Sequence, residues 1–570
     1  MGERYKIKIL DLKTKKYLED SIDNVIGSIV WHENGRGFFY TPVDKSWQHR
    51  KLMYHSLSDD ISKDKLIFEE QDKLYSLSIG KSSDKSLLII NIRGHDNNEI
   101  KFINMLDQRF NVKTLCKRVD GIVNDVDYGD GYFYLSSNKN HNNFEISRAK
   151  YNKNIIEEKN NNDIQFKIIF KAKDNLYLNS FDINSKYILI DYTERGLPRL
   201  FAVDINNSNF EISHDIEEKN NNILRKKEIR LPDNSGTGSI YSTNYKNADI
   251  KVSYSSPKRP STSYSYNFED DKLNILKIQE IPSGFNPDLY QVERIYVKST
   301  SKHDYLNGQD NHVMIPVTIL YKKSLFKKDG SNPCYIYGYG SYGIAINPSF
   351  SVSPLSLVDR GFIYAIAHIR GGDDLGYDWY TQAKFLTKKR TFTDFIDVTK
   401  KLIEEKYTSK NNIVIKGGSA GGMLIGNVIN ECPSLYRLAI LHVPFVDVMN
   451  TMTDTSLPLT EGEFKEWGDP REKDYFDYML SYSPYDNITK QNYPHIYVTA
   501  GLSDPRVGYF EATKYVARLR DKKLNNNILL LKTNMSYGHQ GASGRLDSLK
   551  EVAEDITLTL KIFNIEEKIK

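Results

Sequence analysis

The sequence predicts two architectures in one chain: an all-β propeller followed by a doubly wound, mainly parallel α/β domain. Three observations carry that expectation. A chain of 570 residues is too long for one hydrophobic core, so at least two domains are expected. Up to about residue 282 a strand, polar turn, strand unit recurs. From about residue 288 short apolar strands alternate with helical stretches. The division this implies is a β-propeller domain over 1–285 and an α/β domain over 286–570.

The recurring unit is clearest at Ser28-Ile29-Val30-Trp31, the turn Asn34-Gly35-Arg36-Gly37, and Phe38-Phe39-Tyr40. It returns at Leu77-Ser78-Ile79 with Leu87-Leu88-Ile89-Ile90, and at Val126-Asp127-Tyr128 with Tyr132-Phe133-Tyr134-Leu135. It returns again at Phe181-Asp182-Ile183 with Tyr187-Ile188-Leu189-Ile190, and a last copy lies near 240–254. Strand pairs spaced by roughly 45–60 residues suit propeller blades of four strands, with a β-sandwich as the alternative. Two segments, 155–163 and 216–222, are rich in Asn, Glu and Lys and read as exposed loop insertions.

In the second half, strands are expected over 335–337, 362–368, 413–416, 438–443, 496–500 and 528–531. They are short and do not alternate, as strands covered by helices on both sheet faces should not. Helices are expected over 393–405, with Thr393 as N-cap, over 422–430, over 509–520, and after 546.

Composition excludes several roles. Hydrophobic residues make up 39% and charged residues 27% of the chain, ordinary for a globular protein. The net charge is only +4 and the basic residues are scattered, so no nucleic-acid or membrane partner is expected. No run of about 18 apolar residues exists, and the charged opening Met1-Gly2-Glu3-Arg4 lacks a secretory apolar stretch. Three distant cysteines, Cys116, Cys334 and Cys432, support neither a disulfide framework nor a metal site. The chain reads as cytoplasmic.

The strongest local signal is Ile413-Val414-Ile415-Lys416-Gly417-Gly418-Ser419-Ala420-Gly421-Gly422. A buried strand runs through G-x-S-x-G into a helix, the nucleophile elbow of the α/β-hydrolase fold. The sharp turn lifts the Ser419 hydroxyl clear of the sheet, and the helix that follows points its free N–H groups at the place where an oxyanion would form. A serine hydroxyl needs a base, and in this fold the chain order is serine, carboxylate, histidine. His539, between Gly538 and Gln540-Gly541 in a loop past the last strand, has little packing reason to be there. His368 and His442 lie on strands and read as packed or strand-end residues. The carboxylate has two contenders, Asp504 and Asp447. Each follows a strand; the later strand end is the usual source, which favours Asp504.

These residues stand in contexts that resemble the prolyl oligopeptidase family of serine peptidases. The matching stretches are Tyr337-Gly338-Tyr339-Gly340-Ser341-Tyr342-Gly343, Arg370-Gly371-Gly372, the elbow, Val443-Pro444-Phe445-Val446-Asp447-Val448, Glu466-Trp467-Gly468, Ser481-Tyr482-Ser483-Pro484-Tyr485-Asp486-Asn487, and Gly538-His539 through Gly544-Arg545. The resemblance implies a propeller over a hydrolase domain with the site between them, and selects Asp504. It implies that the Tyr339 hydroxyl and the Ala420 N–H stabilise an oxyanion, that Arg506 holds a substrate carbonyl, and that Glu463 binds an Arg or Lys side chain.

Three departures from the family pattern bear on these roles. Lys465 replaces the second acid of the specificity pair, Asn347 and Ser349 replace two aspartates, and the chain opens at a strand resembling the family's second blade. The last departure implies a propeller incomplete at its start. The expected activity is hydrolysis of short peptides after Arg or Lys through an acyl-enzyme on Ser419, with no metal or organic cofactor. The alternatives are a non-catalytic remnant, or an esterase or aminopeptidase of the same fold.

Overall fold

The computed structural model describes residues 4–44, 47–151, 164–205, 226–301, 313–542 and 544–565; the two Asn/Glu/Lys-rich segments lie outside them. Residues 5–278 form five antiparallel sheets in chain order, the first of five strands and the others of four. Each sheet is a meander, with neighbouring strands consecutive in sequence, as hairpins with short polar turns require.

The three inner sheets are apolar on both faces because each packs against a sheet on either side. Phe39, Leu52 and Tyr54 of the first sheet meet Leu77, Leu88 and Ile90 of the second. Leu87 and Phe102 meet Tyr128, Phe133 and Tyr151 of the third. Tyr134 and Ile146 meet Ile188 and Ile190 of the fourth, and Leu189 and Leu200 meet Val252 and Tyr254 of the fifth. Polar links join sheets as well: Asp127 accepts from the Ser83 amide at 2.8 Å, and Asp182 accepts from the Ser242 amide at 2.7 Å. This face-to-face stacking of one five-stranded and four four-stranded antiparallel blades is the propeller expected from the repeat.

The rest of the chain builds one eight-stranded sheet, numbered here in chain order: β1 (Tyr290–Lys298), β2 (Met314–Lys322), β3 (Cys334–Tyr337), β4 (Ile363–Ala367), β5 (Ile413–Gly418), β6 (Leu438–His442), β7 (His495–Gly501) and β8 (Leu529–Asn534). The spatial order is β1-β2-β4-β3-β5-β6-β7-β8. β2 runs antiparallel to both β1 and β4, and the remaining pairs are parallel. Five helices serve the site: α1 (Lys389–Glu404), α2 (Ala420–Glu431), α3 (Thr460–Trp467), α4 (Tyr509–Lys522) and α5 (Arg545–Ile562).

The chain steps outward from β3 to β4 and then returns to lay β5 on the other side of β3. That reversal opens a crevice beyond the carboxyl ends of β3 and β5, where ligands of open α/β sheets bind. A large apolar core holds the sheet on one side, with Ile336, Ile415, Leu424, Phe395 and Val498 all fully buried. Arg370 and Asp394, both 0% exposed, form an ion pair at 2.7 Å inside it, joined by Ser299.

One expectation is corrected. The first long helix begins at Lys389, not after Thr393, and the Thr393 hydroxyl bonds back to the Lys389 carbonyl at 3.2 Å inside the first turn. A tertiary contact caps this helix: the Lys389 amide donates to the Tyr478 hydroxyl at 3.0 Å. A rule based on neighbouring sequence could not see that donor's partner. Among the described residues, no helix is long and apolar enough to cross a membrane.

Candidate active site

Ser419 sits between β5 and α2 with φ +54° and ψ −123°, a strained backbone for a residue with a Cβ. Its carbonyl accepts from Gly422 at 2.8 Å and Phe445 at 3.0 Å, and its amide donates to His442 at 2.9 Å. The turn is so tight that a Cβ on Gly417 would lie 2.1 Å from the Gly421 carbonyl oxygen, which only glycine avoids. Ala420 opens α2, so its N–H is among those that a helix start leaves without an intrahelical partner.

Two loops deliver the other members. The turn after β7 carries Asp504 and the loop after β8 carries His539. They cross backbone to backbone over Gly501, where an added Cβ would lie 2.7 Å from the Tyr537 carbonyl oxygen. The Ser503 amide donates to that same carbonyl at 3.1 Å. His539 Nδ1 lies 2.8 Å from Asp504 Oδ2. The other oxygen, Oδ1, accepts from the Arg506 and Val507 amides at 2.8 and 3.0 Å. The carboxylate is therefore fixed on one side and aimed at the imidazole with the other, its side chain 0% exposed. Asp447, the other contender, is turned away: it is buried against Lys514 and accepts from Asn450 at 2.7 Å.

Ser419, Asp504, His539, Tyr339, Glu463 and Arg506 all line one cavity of about 1120 Å³. Propeller residues Ile26, Val43, Trp47 and His49 contribute to its wall. Burial pushes the Tyr339 phenol up to about 12, and the Ser419 side chain beside it acts in the opposite direction. The phenol is thus a neutral donor next to the serine at any physiological pH.

Glu463 is on α3. Its Oε2 accepts from the Tyr342 hydroxyl at 2.8 Å and from Trp467 Nε1 at 2.7 Å. Burial raises its carboxyl, as does the nearby Glu466, against those hydrogen bonds and the nearby His95. Lys465 points out of this pocket. It is half-exposed, with Nζ 3.7 Å from Asp96 of the propeller, so its charge is directed to an interdomain pair. Asn347 lines a separate cavity of about 400 Å³ with Asp191, Asp373 and Asp374.

Sequence reasoning missed a buried network beneath the pocket. Glu466, 0% exposed, accepts from the Tyr342 amide at 2.9 Å and the Tyr380 hydroxyl at 2.5 Å, and lies 3.2 Å from His95 Nε2. Burial raises this carboxyl, but His95, Lys388 and the hydroxyl donor outweigh it and hold it below the usual value. Lys388 is wholly buried against the Gly340 carbonyl and the Ser341 hydroxyl, and burial lowers it to about 8. Nothing in the spacing of His95, Lys388 and Glu466 signals this. His95 reaches Glu466 only because the domains dock.

A serine elbow, an Asp-held histidine and a propeller over the same cavity define a class, the propeller-capped serine hydrolases. Two family models match the chain: the prolyl oligopeptidase N-terminal beta-propeller domain over residues 2–279 and the prolyl oligopeptidase family over residues 348–565. The chain belongs to the prolyl oligopeptidase family and is a serine peptidase.

It is similar to Protease 2 of Moraxella lacunata, 34% identical over 99% of this chain and 77% of that one. It is also similar to dipeptidyl aminopeptidase BI of Pseudoxanthomonas mexicana, 33% identical over 99% of this chain and 74% of that one. The structure of oligopeptidase B from Leishmania major superposes with a TM-score of 0.89 at 31% identity, covering 100% of this chain and 76% of that one. Oligopeptidase B from Trypanosoma brucei, solved with covalently bound antipain in a closed form, gives 0.87 at 31%, covering 97% and 75%. The chain thus spans about three quarters of the length of these relatives.

Proposed function

We propose that this peptidase hydrolyses short peptides after Arg or Lys through an acyl-enzyme on Ser419. His539 removes the Ser419 proton as the hydroxyl attacks the scissile carbonyl, and Asp504 orients the imidazole and stabilises its charged form. The Tyr339 hydroxyl and the Ala420 N–H donate to the oxyanion. His539 then passes its proton to the leaving amine, and water, activated by the same imidazole, releases the acyl group. Arg506 holds a substrate backbone carbonyl. No metal or organic cofactor enters these steps.

The observation that carries the specificity is Glu463, a carboxylate in the same cavity as Ser419 whose Oε2 alone is engaged among the described residues. An anion in a partly closed pocket suits a guanidinium or ammonium group. A second reading draws support from the similarity to a dipeptidyl aminopeptidase: Glu463 would then receive a free α-ammonium group.

Reporter peptides with Arg, Lys, Pro or Leu before the cut bond, each with a blocked or free N-terminus, separate the readings. Blocked arginyl and lysyl peptides should be cleaved fastest. A strict need for a free N-terminus would select the aminopeptidase reading, and equal cleavage after Arg, Pro and Leu would refute basic specificity. Labelling by a serine-reactive fluorophosphonate should be lost in Ser419→Ala.

A further inference from the structure

The turn that carries Tyr339 is held from outside itself. Tyr342 has φ +60°, and Gly340 and Gly343 have φ +72° and +62°. This is a left-handed run that a residue with a side chain adopts only when its surroundings impose it. Two buried groups, Lys388 and Glu466, and the half-buried Glu463 do so. Lys388 donates to the Gly340 carbonyl and, at 2.9 Å, to the Ser341 hydroxyl. Glu466 accepts the Tyr342 amide at 2.9 Å, and Glu463 accepts the Tyr342 hydroxyl at 2.8 Å.

Glu466 in turn is completed by the propeller. His95 belongs to the tight turn after the strand Leu87–Arg93, closed by the Gly94 amide on the Asn97 carbonyl at 3.0 Å. Its Nε2 lies 3.2 Å from both Glu466 Oε2 and the Tyr380 hydroxyl. Its ring meets the Tyr342 ring edge-on, centroids 6.2 Å apart. The next residue, Asp96, faces Lys465 at 3.7 Å. One propeller turn therefore grips two consecutive residues of α3 and touches the strained tyrosine directly.

We propose that His95 is a positioning residue of the peptidase reaction: through Glu466 it fixes the strained 339–343 turn and so aims the Tyr339 hydroxyl at the oxyanion. This rests on the oxyanion role given to Tyr339 above. The contact crosses between the domains, so the turn is fully held only when propeller and catalytic domain touch. In this chain the Lys465–Asp96 pair adds to the same grip.

Arginyl amide kinetics on the full chain test this with His95→Ala, His95→Gln, Tyr339→Phe and the His95→Ala/Tyr339→Phe double variant. His95→Ala should lower kcat about tenfold, the scale of one hydrogen bond to a charged group, with KM changed much less. His95→Gln, whose amide can still donate to Glu466, should recover most of the loss. In the Tyr339→Phe background His95→Ala should cost less than about twofold, because both changes act on one group. His95→Asn, too short to reach Glu466, replaces His95→Ala if that variant fails to fold.

Normal kcat in His95→Ala, no recovery in His95→Gln, or losses that multiply in the double variant would overturn the inference and leave the oxyanion role standing. A Tyr339→Phe variant with normal kcat would overturn that role and this inference together.

Discussion

Glu463→Gln exchanges a negative carboxylate for a neutral amide of the same shape, and the structure says which way the amide must face. Oε2 already takes two donors, Tyr342 hydroxyl and Trp467 Nε1. Among the described residues no partner is found for Oε1, and the side chain lines the cavity. In the glutamine variant the carbonyl oxygen must take over the two donors, because reversing the amide would oppose N–H to N–H and O–H. The NH₂ group then faces the incoming cation. The change therefore removes a charge-assisted acceptor and presents a donor in its place.

A hydrogen bond to a charged group contributes about 1.5–3 kcal/mol, and the reversed dipole argues for the upper half of that range. The expected loss in kcat/KM for an arginyl peptide is about 30- to 150-fold, at about 1.4 kcal/mol per factor of ten. A leucyl peptide should change less than about threefold.

The same carboxyl is raised by burial and by Glu466. Its charge is therefore lost on acidification at a higher pH than that of an ordinary glutamate, and the arginyl-over-leucyl ratio of the wild type should decline with it. Paired pH profiles of kcat/KM for the two peptides, in wild type and Glu463→Gln, read both effects. An equal loss on both substrates, or a ratio independent of pH, would refute the reasoning.

Asp504→Asn should reduce kcat by several orders of magnitude through a misdirected imidazole. Asp447→Asn should lower the melting temperature while leaving kcat/KM within a few-fold, since its carboxylate serves Lys514 and Asn450; the reverse pattern would exchange their roles. Glu511, 1% exposed, accepts from the Val446 and Asp447 amides and the Thr451 hydroxyl, and burial raises it to about 7. Its folded value exceeds its unfolded one, so its contribution is fully present below about pH 4.5 and is lost as pH rises to about 7. The loss is at most about 3–4 kcal/mol, for the rise from 4.5 to about 7. Denaturant titrations should show that decline flattened in Glu511→Gln, and an unchanged slope would contradict it. Arg370→Met leaves Asp394 buried without its cation and should cost about 3–5 kcal/mol of stability in the same assay; a neutral result would mean Asp394 finds another partner or a proton.

The sequence by itself determined the two architectures and pointed to the candidate chemical centre, because those signals are local. Strand pairs around polar turns specify blades whose faces must be apolar, and Leu87-Leu88-Ile89-Ile90 is apolar on both sides because blades flank it on both. The elbow is legible because Gly417 and Gly422 leave room that only a turn of that shape needs. Chain order with loop context picked out His539. Strand-end position favoured Asp504 over Asp447 without excluding either, and the family likeness selected Asp504.

Tertiary structure alone decided what depends on long-range approach. The start of α1 is set by a tyrosine 89 residues away. In sequence Lys465 replaces the second acid of the specificity pair; in the structure its ammonium faces Asp96 across the domain interface. His95 and Glu466 are 371 positions apart. No periodicity or motif couples them, because a hydrogen bond between domains is fixed by how two surfaces dock rather than by the order of residues along either one.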